Sequence, residues 1–503
     1  MSKHHTIFCV GFLLSTLAGA QTPEQRTARY LDSIRKQPSL LLAFLHDVPK
    51  GGDLHNHLEG AVYAEDLIDF AASDNFCVDR TTSRLLAPPC DPCASYTAKP
   101  AVRCAYADHV LYSQIIDAWS MRNWHPGDES GHDHFFATFD KFALAAENHY
   151  AEDIATVTNR AAREHVQYIE FMHTADGSVA AELGVKLGGD TDFGKWRDKL
   201  LSGGLKEIVA ATSKTLAEDE SKARKGLKCD TPNPEPGCGI TVRYLYQVLR
   251  GLPREAVFAQ IVLGFELAST DPRFVGLDLV MPEDWYVPTH AFREHMTMLD
   301  YLHGVYPKVH ISLHAGEIAM EFVKPEDLNY HIRLAVERGH AERIGHGVSV
   351  MLEDDPIGLL KEMAERNVLV EINLTSNDQI LGVSGDEHPF PIYMKYGVPV
   401  AICSDDEGVA RSDMTHEYLR AVQGYSLSYA VLKNNTRQSL EHSFLPGSSL
   451  WESTKGTFKP VAACAESAPD KASSACNKFL ATSERAREQW KLEKEFAEFE
   501  KKY

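Results

Sequence analysis

Basic residues are scarce in this chain. Lys and Arg number 51 against 71 Asp and Glu, a formal charge of -20. No Lys/Arg-rich run offsets that balance, which argues against a surface built to neutralise phosphates and so against nucleic-acid binding. Long apolar runs are also scarce. Beyond the first twenty residues none approaches the roughly 20 needed to span a bilayer, so no membrane span is expected once a leader is removed. No Gly-x-Gly-x-x-Gly follows an early strand-like run and no phosphate loop occurs, leaving dinucleotide and P-loop chemistry without support. No repeat recurs at solenoid spacing. The 503 residues are 44% hydrophobic and 24% charged, which excludes wholesale disorder, a fibre and a small disulfide-only scaffold. At about 150 residues per domain the length allows three domains, but one large α/β barrel with attachments fits equally well.

The start of the chain reads as an export signal. Lys3, His4 and His5 open it, Ile7 to Leu17 is mostly apolar, and Ala18-Gly19-Ala20 offers a cleavage site before Gln21. That predicts a signal peptide over 1–20 and a secreted or periplasmic protein. The cysteines agree. Of the ten, Cys9 leaves with the signal. Cys77, Cys90, Cys93 and Cys104 cluster in an early loop region, Cys229 and Cys238 bracket a Pro-rich loop, and Cys464 and Cys476 a polar one. Cys403 sits alone in an apolar run. Eight loop cysteines and one core cysteine predict four disulfides, with the pairing in the first cluster open. The rival is a four-cysteine zinc knot over 77–104.

Residues 21–47 carry a helical pattern that caps one end of the fold. Eight short apolar runs then end in polar residues: Gly51 to His55, Val166 to Met172, Phe258 to Phe265, Phe274 to Val280, Val309 to Leu313, Arg343 to Gly347, Val368 to Leu374 and Val398 to Cys403. Helical patterns, such as Asn329 to Glu337 and Pro356 to Glu365, separate the later ones. This alternation predicts an α/β fold with a parallel sheet, closed as a (β/α)8 TIM barrel. The runner-up is an open doubly wound sheet. The barrel is expected over 48–440, with a disulfide-bearing insertion at about 73–165 and a polar one at about 174–240. A C-terminal extension, 441–503, ends in a charged helix near 480–503 that reads as a solvated surface element.

Ionisable residues recur just past these runs. His55 and His57, two apart on a strand, point to one side. His314-Ala315-Gly316-Glu317, Gly345-His346-Gly347 and Ser404-Asp405-Asp406-Glu407 end later runs. In a barrel all these ends meet at one mouth. Three imidazoles and a carboxylate suit zinc, so His55, His57, His314 and Asp405 are the expected ligands of one ion. Glu317 suits proton transfer to a ring nitrogen, His346 the orientation of an attacking water, and Asp406 a hydrogen bond at a purine edge. The set fits hydrolytic removal of an amine from a ring carbon.

Five blocks in order, Pro49 to Gly60, Val275 to Val280, His314 to Glu317, Arg343 to Gly347 and Ser404 to Asp406, resemble the adenosine deaminases, most closely their secreted growth-factor-related branch. The resemblance covers roughly 48–430. It implies a metal-dependent hydrolase barrel that converts adenosine and 2′-deoxyadenosine to inosine and 2′-deoxyinosine with release of ammonia. It also implies zinc on His55, His57, His314 and Asp405, and protonation of purine N1 by Glu317. His346 stands beside the zinc-bound water, Asp406 meets N7 and Glu59 lies near the ribose 5′-hydroxyl. Phe135 and Phe136, in the aromatic segment Phe135 to Phe142, resemble part of the cleft wall. By the same resemblance, the helical segment 21–47 can also join a homodimer.

The chain departs from the family pattern in three places. Met281, followed by Pro282, stands where a glycine N–H usually meets purine N3. Glu407-Gly408 replaces a proline after the aspartate pair, and Asn373-Leu374 replaces a Cys-Pro. The stretch around Cys77–Cys104 is short for the receptor-binding insertion of the secreted branch. Competing readings keep the zinc barrel but act on adenine, a modified adenosine or an amide, or make the chain a non-catalytic extracellular nucleoside binder. The latter should have lost a ligand or Glu317, and neither is lost.

Overall fold

The computed structural model describes residues 21–93, 96–127, 129–454 and 457–503; the expected export signal lies outside them. Eight parallel strands form the centre: β1 (Gly51–His57), β2 (Val166–His173), β3 (Thr241–Leu249), β4 (Phe274–Val280), β5 (His310–Ala315), β6 (Arg343–His346), β7 (Leu369–Ile372) and β8 (Val400–Ile402). They neighbour one another in chain order. An isolated parallel bridge between Asn56 and Asp405 joins the last strand end to the first, with Asp405 N–H donating to the His55 carbonyl at 2.9 Å. The chain is thus a (β/α)8 barrel. Helices cover the outside, so strands such as β2 are buried on both faces and lack polar alternation. Among the described residues no helix is long and apolar enough to cross a membrane.

One expected strand is wrong. Phe258 to Phe265 lies inside a helix, Arg254–Thr270, and the third strand is Thr241–Leu249. Every residue from Ala256 to Phe265 is buried, so this helix is apolar all round and its sequence shows no 3.6-residue stripe. A short apolar run cannot tell buried helix from buried strand. The true strand, Thr-Val-Arg-Tyr-Leu-Tyr-Gln-Val-Leu, is rich in β-branched and aromatic residues but carries Arg243 and Gln247.

The end of the barrel away from the strand C-termini is closed by buried ions. Lys50, fully buried, donates to the carbonyls of Leu45, His46, Val48 and Glu164 at 2.7–3.2 Å, which pins the helix Pro38–Asp47 against the entries to β1 and β2. Inside, Arg343 pairs with Glu170 at 2.6 Å and Glu371 at 2.7 Å, and lies over the Phe444 ring at 3.9 Å. Breaking such a buried pair from one side costs about 3–5 kcal/mol.

The charged C-terminal helix, Glu484–Glu500, is not merely a solvated element. Leu492, Phe496 and Phe499 are buried, and Glu500 accepts from Lys433 at 2.6 Å and Tyr429 at 3.0 Å. Lys433 also reaches Glu24 at 2.9 Å, so both chain ends are tied to the helix Tyr429–Glu441. The high charge content hid a Leu492–Phe496–Phe499 stripe at helical spacing.

Four disulfides form: Cys77–Cys90, Cys93–Cys104, Cys229–Cys238 and Cys464–Cys476. Cys403 is free and buried. The bonded pairs leave no thiolates for a zinc knot at 77–104. Each bridge contributes roughly 2–4 kcal/mol. Four such pairs suit an oxidising, extracellular type of environment.

Candidate active site

His55 and His57 end β1, His314 lies one residue from the end of β5, His346 ends β6, and Asp405 follows β8. The strand ends carry them to one point. His57 Nε2 is 3.2 Å from His314 Nε2, and Asp405 Oδ1 is 3.4 Å from Nε2 of both His55 and His57. The other ring nitrogen of each histidine is committed elsewhere. His55 Nδ1 faces Glu371 at 2.7 Å, His57 Nδ1 faces the Gln247 side-chain oxygen at 2.8 Å, and His314 Nδ1 faces Asp278 at 2.9 Å. An acceptor at Nδ1 places the proton there and leaves the lone pair on Nε2. Two Nε2 atoms therefore face one carboxylate oxygen, the third lies against His57 Nε2, and His55 Nε2 is buried without a hydrogen-bond partner. A cation bound there would satisfy these groups together, and the nitrogen-and-oxygen donor set suits zinc.

Burial lowers the His57 and His314 rings, and neighbouring histidines push the same way. Burial also acts on His55, but hydrogen bonds and charge from Asp405 and Glu371 outweigh it and raise that ring. Burial alone would raise Asp405. Its close approach to His55 and the neighbouring His346 and His57 rings hold it well below the usual carboxylate range.

Two glycines make room for this centre. A Cβ on Gly345 would lie 2.7 Å from His55 Cε1, and one on Gly60 would lie 1.7 Å from Asp406 Oδ1. Above the cluster opens a cleft of roughly 340 Å³. His57, Glu59, Phe135, Phe136, Met281, His314, Glu317, His346, Asp405 and Asp406 all line it, and His55 lies buried beneath. Larger hollows exist, one of about 740 Å³ beside the C-terminal helix, but it lies near Pro49 and His165, at the other end of the barrel. A second potential metal trio there, His46, Asp47 and His165, is largely exposed, and its Asp47 is paired with Lys502 at 3.0 Å.

Glu317 and Asp406 differ in environment from the expected metal ligands. Glu317 is raised well above the usual range by burial, then by Asp405 and Glu283. Asp406 is raised by burial and by Asp405, and its Oδ1 is buried without a partner. Both are therefore poised to hold a proton that a bound base could share. Glu59, in the one-turn helix Leu58–Ala61, sits 3.7 Å from His173 Nδ1. Phe135 and Phe136 come from the helix Gly131–Ala146, the first buried and the second half-buried.

Residues 225–451 match the family model described as adenosine deaminase. Over those residues the chain is similar to the adenosine deaminases. It is 33% identical over 193 residues to adenosine deaminase of Pectobacterium atrosepticum, covering 36% of this chain and 52% of that protein. It is 38% identical over 137 residues to adenosine deaminase of Escherichia coli, covering 27% of this chain and 38% of that one. The chain thus spans about half or less of the curated relatives it matches. A solved structure of N6-methyl-AMP deaminase from Arabidopsis thaliana aligns over 80% of this chain and 94% of that chain, with 19% identity and a TM-score of 0.49. The His55/His57 pair lies outside the family-matched segment, so its place beside His314 and Asp405 is known from the fold alone.

The departures from the family pattern have local reasons. Gly408 lies against the Val62 carbonyl, which a built Cβ would approach to 2.2 Å, while Glu407 pairs with Arg160 at 2.6 Å. Met281 keeps the left-handed backbone that a glycine adopts freely, with φ of 87°. Its carbonyl is held by the Arg250 guanidinium at 3.2 Å.

Sequence reasoning missed the residues that orient the candidate metal-binding imidazoles. Gln247, Asp278 and Glu371 orient the three imidazoles, and Glu283 takes the N–H groups of Gly316 and Glu317 at 3.0 and 2.8 Å. Glu283 is a carboxylate: burial would raise it, but His331, Arg250 and the Gly316 N–H bring it down to about 2. A signal existed for two of them. Asp278 and Glu371 are the acidic residues inside otherwise apolar strands, and a buried carboxylate needs a partner.

Proposed function

We propose that the chain is a zinc-dependent deaminase that hydrolyses adenosine and 2′-deoxyadenosine to inosine and 2′-deoxyinosine, releasing ammonia. The observation that carries the reading is the clustering of three Nε2 atoms and Asp405 beneath a cleft that also presents Glu317 and Asp406. His55, His57, His314 and Asp405 would hold the ion. Zinc, when bound, acts as a Lewis acid that brings the pKa of water from 15.7 to roughly 7.

The remaining work falls to the protein. Glu317, protonated in its buried setting, gives its proton to purine N1 and so draws electron density away from C6. Asp406 shares its proton with N7 and fixes the plane of the base. His346 hydrogen-bonds the attacking oxygen. As the C6–O bond forms and the C6–N bond breaks, one proton of the attacking water restores Glu317 and the other passes to the amino group, which leaves as ammonia. Glu59 marks the ribose end. Among the described residues no Lys or Arg lines the cleft, whereas Glu59, Asp140 and Glu147 do, so the pocket favours a neutral nucleoside over a 5′-phosphate.

Met281 and Trp285 on the rim favour a second reading, a deaminase of adenine or of a modified adenosine. The four disulfides support a secreted or periplasmic site of action. The test is steady-state turnover of purified, zinc-loaded protein, with absorbance near 265 nm and ammonia both followed. Turnover of adenosine that chelation abolishes and zinc restores supports the reading. Adenine or an N6-substituted nucleoside turned over in its place supports the second.

A further inference from the structure

The proton on His346 is placed by a chain of side chains outside the metal cluster. His346 Nδ1 lies 2.8 Å from the amide nitrogen of Asn377. An amide nitrogen donates and does not accept, so Nδ1 of His346 carries the lone pair. Which end of Asn377 faces His346 is fixed one step further out. Asn377 Oδ1 lies 3.0 Å from His388 Nε2. His388 Nδ1 in turn receives the backbone N–H of Phe390 at 3.1 Å. A backbone N–H can only donate, so a neutral His388 has its single proton on Nε2, aimed at Asn377. Burial lowers His388 to about 4, so the ring is neutral at pH 7.

Hydrogen-bond direction therefore runs from Phe390 N–H through His388 and Asn377 to His346. His346, Asn377 and His388 are all buried, so no solvent competes for these bonds. The other approaches to His346 Nδ1 are longer: Asn373 Nδ2 at 3.4 Å, again a donor, and Glu317 Oε1 at 3.6 Å. Nε2 of His346 faces Asp405 Oδ2 at 3.9 Å and has no hydrogen-bond partner.

We propose that Asn377 and His388 are positioning residues that hold His346 with its proton on Nε2, so that the ring faces the reacting centre as a hydrogen-bond donor and not as a base. A donor fixed there stabilises an oxygen as it gains negative charge, without reorganising during the reaction. The kinetic part of the proposal rests on the deaminase reading; the tautomer does not.

The test uses the full, zinc-loaded chain labelled with 15N in histidine. Ring-nitrogen NMR at neutral pH reports the tautomer, with the His346 signals identified by their loss in H346Q. The wild type should show a protonated Nε2 and an unprotonated Nδ1. Asn377→Asp offers only acceptors, so it should move the proton to Nδ1. It should also lower kcat on adenosine by about 100-fold with KM and zinc content unchanged, the scale of losing one preorganised donor. His388→Leu should behave similarly, whereas His388→Gln, which keeps an N–H near the Nε2 position, should recover most of the loss. A wild-type His346 protonated on Nδ1 overturns the proposal. So does Asn377→Asp with an unchanged tautomer and full kcat, or His388→Gln as impaired as His388→Leu. If the wild type turns over no nucleoside, the deaminase reading fails while the NMR arm still decides the tautomer.

Discussion

Replacing Gly345 by Ala tests the metal centre from behind, without removing a ligand. A Cβ there would lie 2.7 Å from His55 Cε1 and 3.1 Å from Nδ1. Ordinary contact begins near 3.4 Å, so the ring must retreat by about 0.7 Å, the difference from 2.7 Å. It has little room to do so. Its Nδ1 is bound to Glu371 at 2.7 Å, and Glu371 is held in turn by Arg343 at 2.7 Å and Ser312 at 3.0 Å. Zinc–ligand distances tolerate only about 0.2 Å of error. Loss of ligand orientation costs roughly 10–100-fold in metal affinity, which at 1.36 kcal/mol per tenfold is about 1.4–2.7 kcal/mol. Overpacking adds about 1–3 kcal/mol to the destabilisation of the fold. The assay is a zinc titration against a competing chelator, with circular dichroism confirming that the variant is folded. Gly424→Ala, where a Cβ meets nothing within 4 Å, is the control and should match the wild type. A folded Gly345→Ala protein with wild-type zinc affinity and full turnover would refute the placement of His55 as a ligand.

Three further outcomes are expected. Glu317→Gln should keep zinc and fold but lose at least about 100-fold in kcat, as removal of a general acid does; a zinc-loaded variant with full activity would remove Glu317 from the proton role. Adenosine should exceed AMP in kcat/KM by at least 100-fold, about 2.7 kcal/mol at 1.36 kcal/mol per tenfold, because among the described residues the cleft wall carries carboxylates and no cation; comparable values measured side by side would sink that reading. His295 is buried with both ring nitrogens unpartnered, and burial followed by Arg250 lowers it to about 3. A histidine lowered on folding lends stability above its unfolded pKa and loses it as pH falls, here from about 6.5 towards 3, by at most about 5 kcal/mol. His295→Leu should therefore flatten the fall of Tm across that window, and an unchanged acid limb would show that His295 does not contribute to it.

Much of the site was legible because the barrel puts function at a fixed register. His55, His57, His314, His346 and Asp405 each end or follow a buried strand, and that position, more than residue type, singled them out. The supporting shell was less legible. Asp278 and Glu371 read as isolated acids in apolar strands, and only the fold shows that they face His314 and His55. Gln247 is out of reach because the apolar run Phe258–Phe265 reads as the third strand in place of Thr241–Leu249. Buried on all sides, that helix has no periodicity to betray it. The C-terminal helix was misjudged for the opposite reason, since three buried side chains among many charges weigh little in composition. Asn377 and His388 lie beyond any local pattern, because their role depends on the direction of hydrogen bonds between segments eleven residues apart.

Four of the strand ends turn through left-handed backbone. Met281, Gly316, His346 and Asp405 follow or end β4, β5, β6 and β8, and all have left-handed backbone, with φ of 87°, 79°, 65° and 59°. Only one of the four is glycine. Asp and His tolerate that region better than most residues, but Met does not, and each such residue costs of order 1–3 kcal/mol. A left-handed residue turns the chain sharply at the strand end, so the next side chains point into the mouth instead of continuing the pleat. Arg250 shows how the strain is held: its guanidinium bonds the carbonyls of Met281, at 3.2 Å, and His314, at 2.9 Å, tying two adjacent turns together. Gly251 leaves the space into which the Met281 side chain packs, since a Cβ there would lie 2.9 Å from the Met281 methyl. A residue that disfavours the turn is thus kept in it by a buried cation and a neighbouring glycine, and the cleft keeps a rim that a glycine at 281 would not supply.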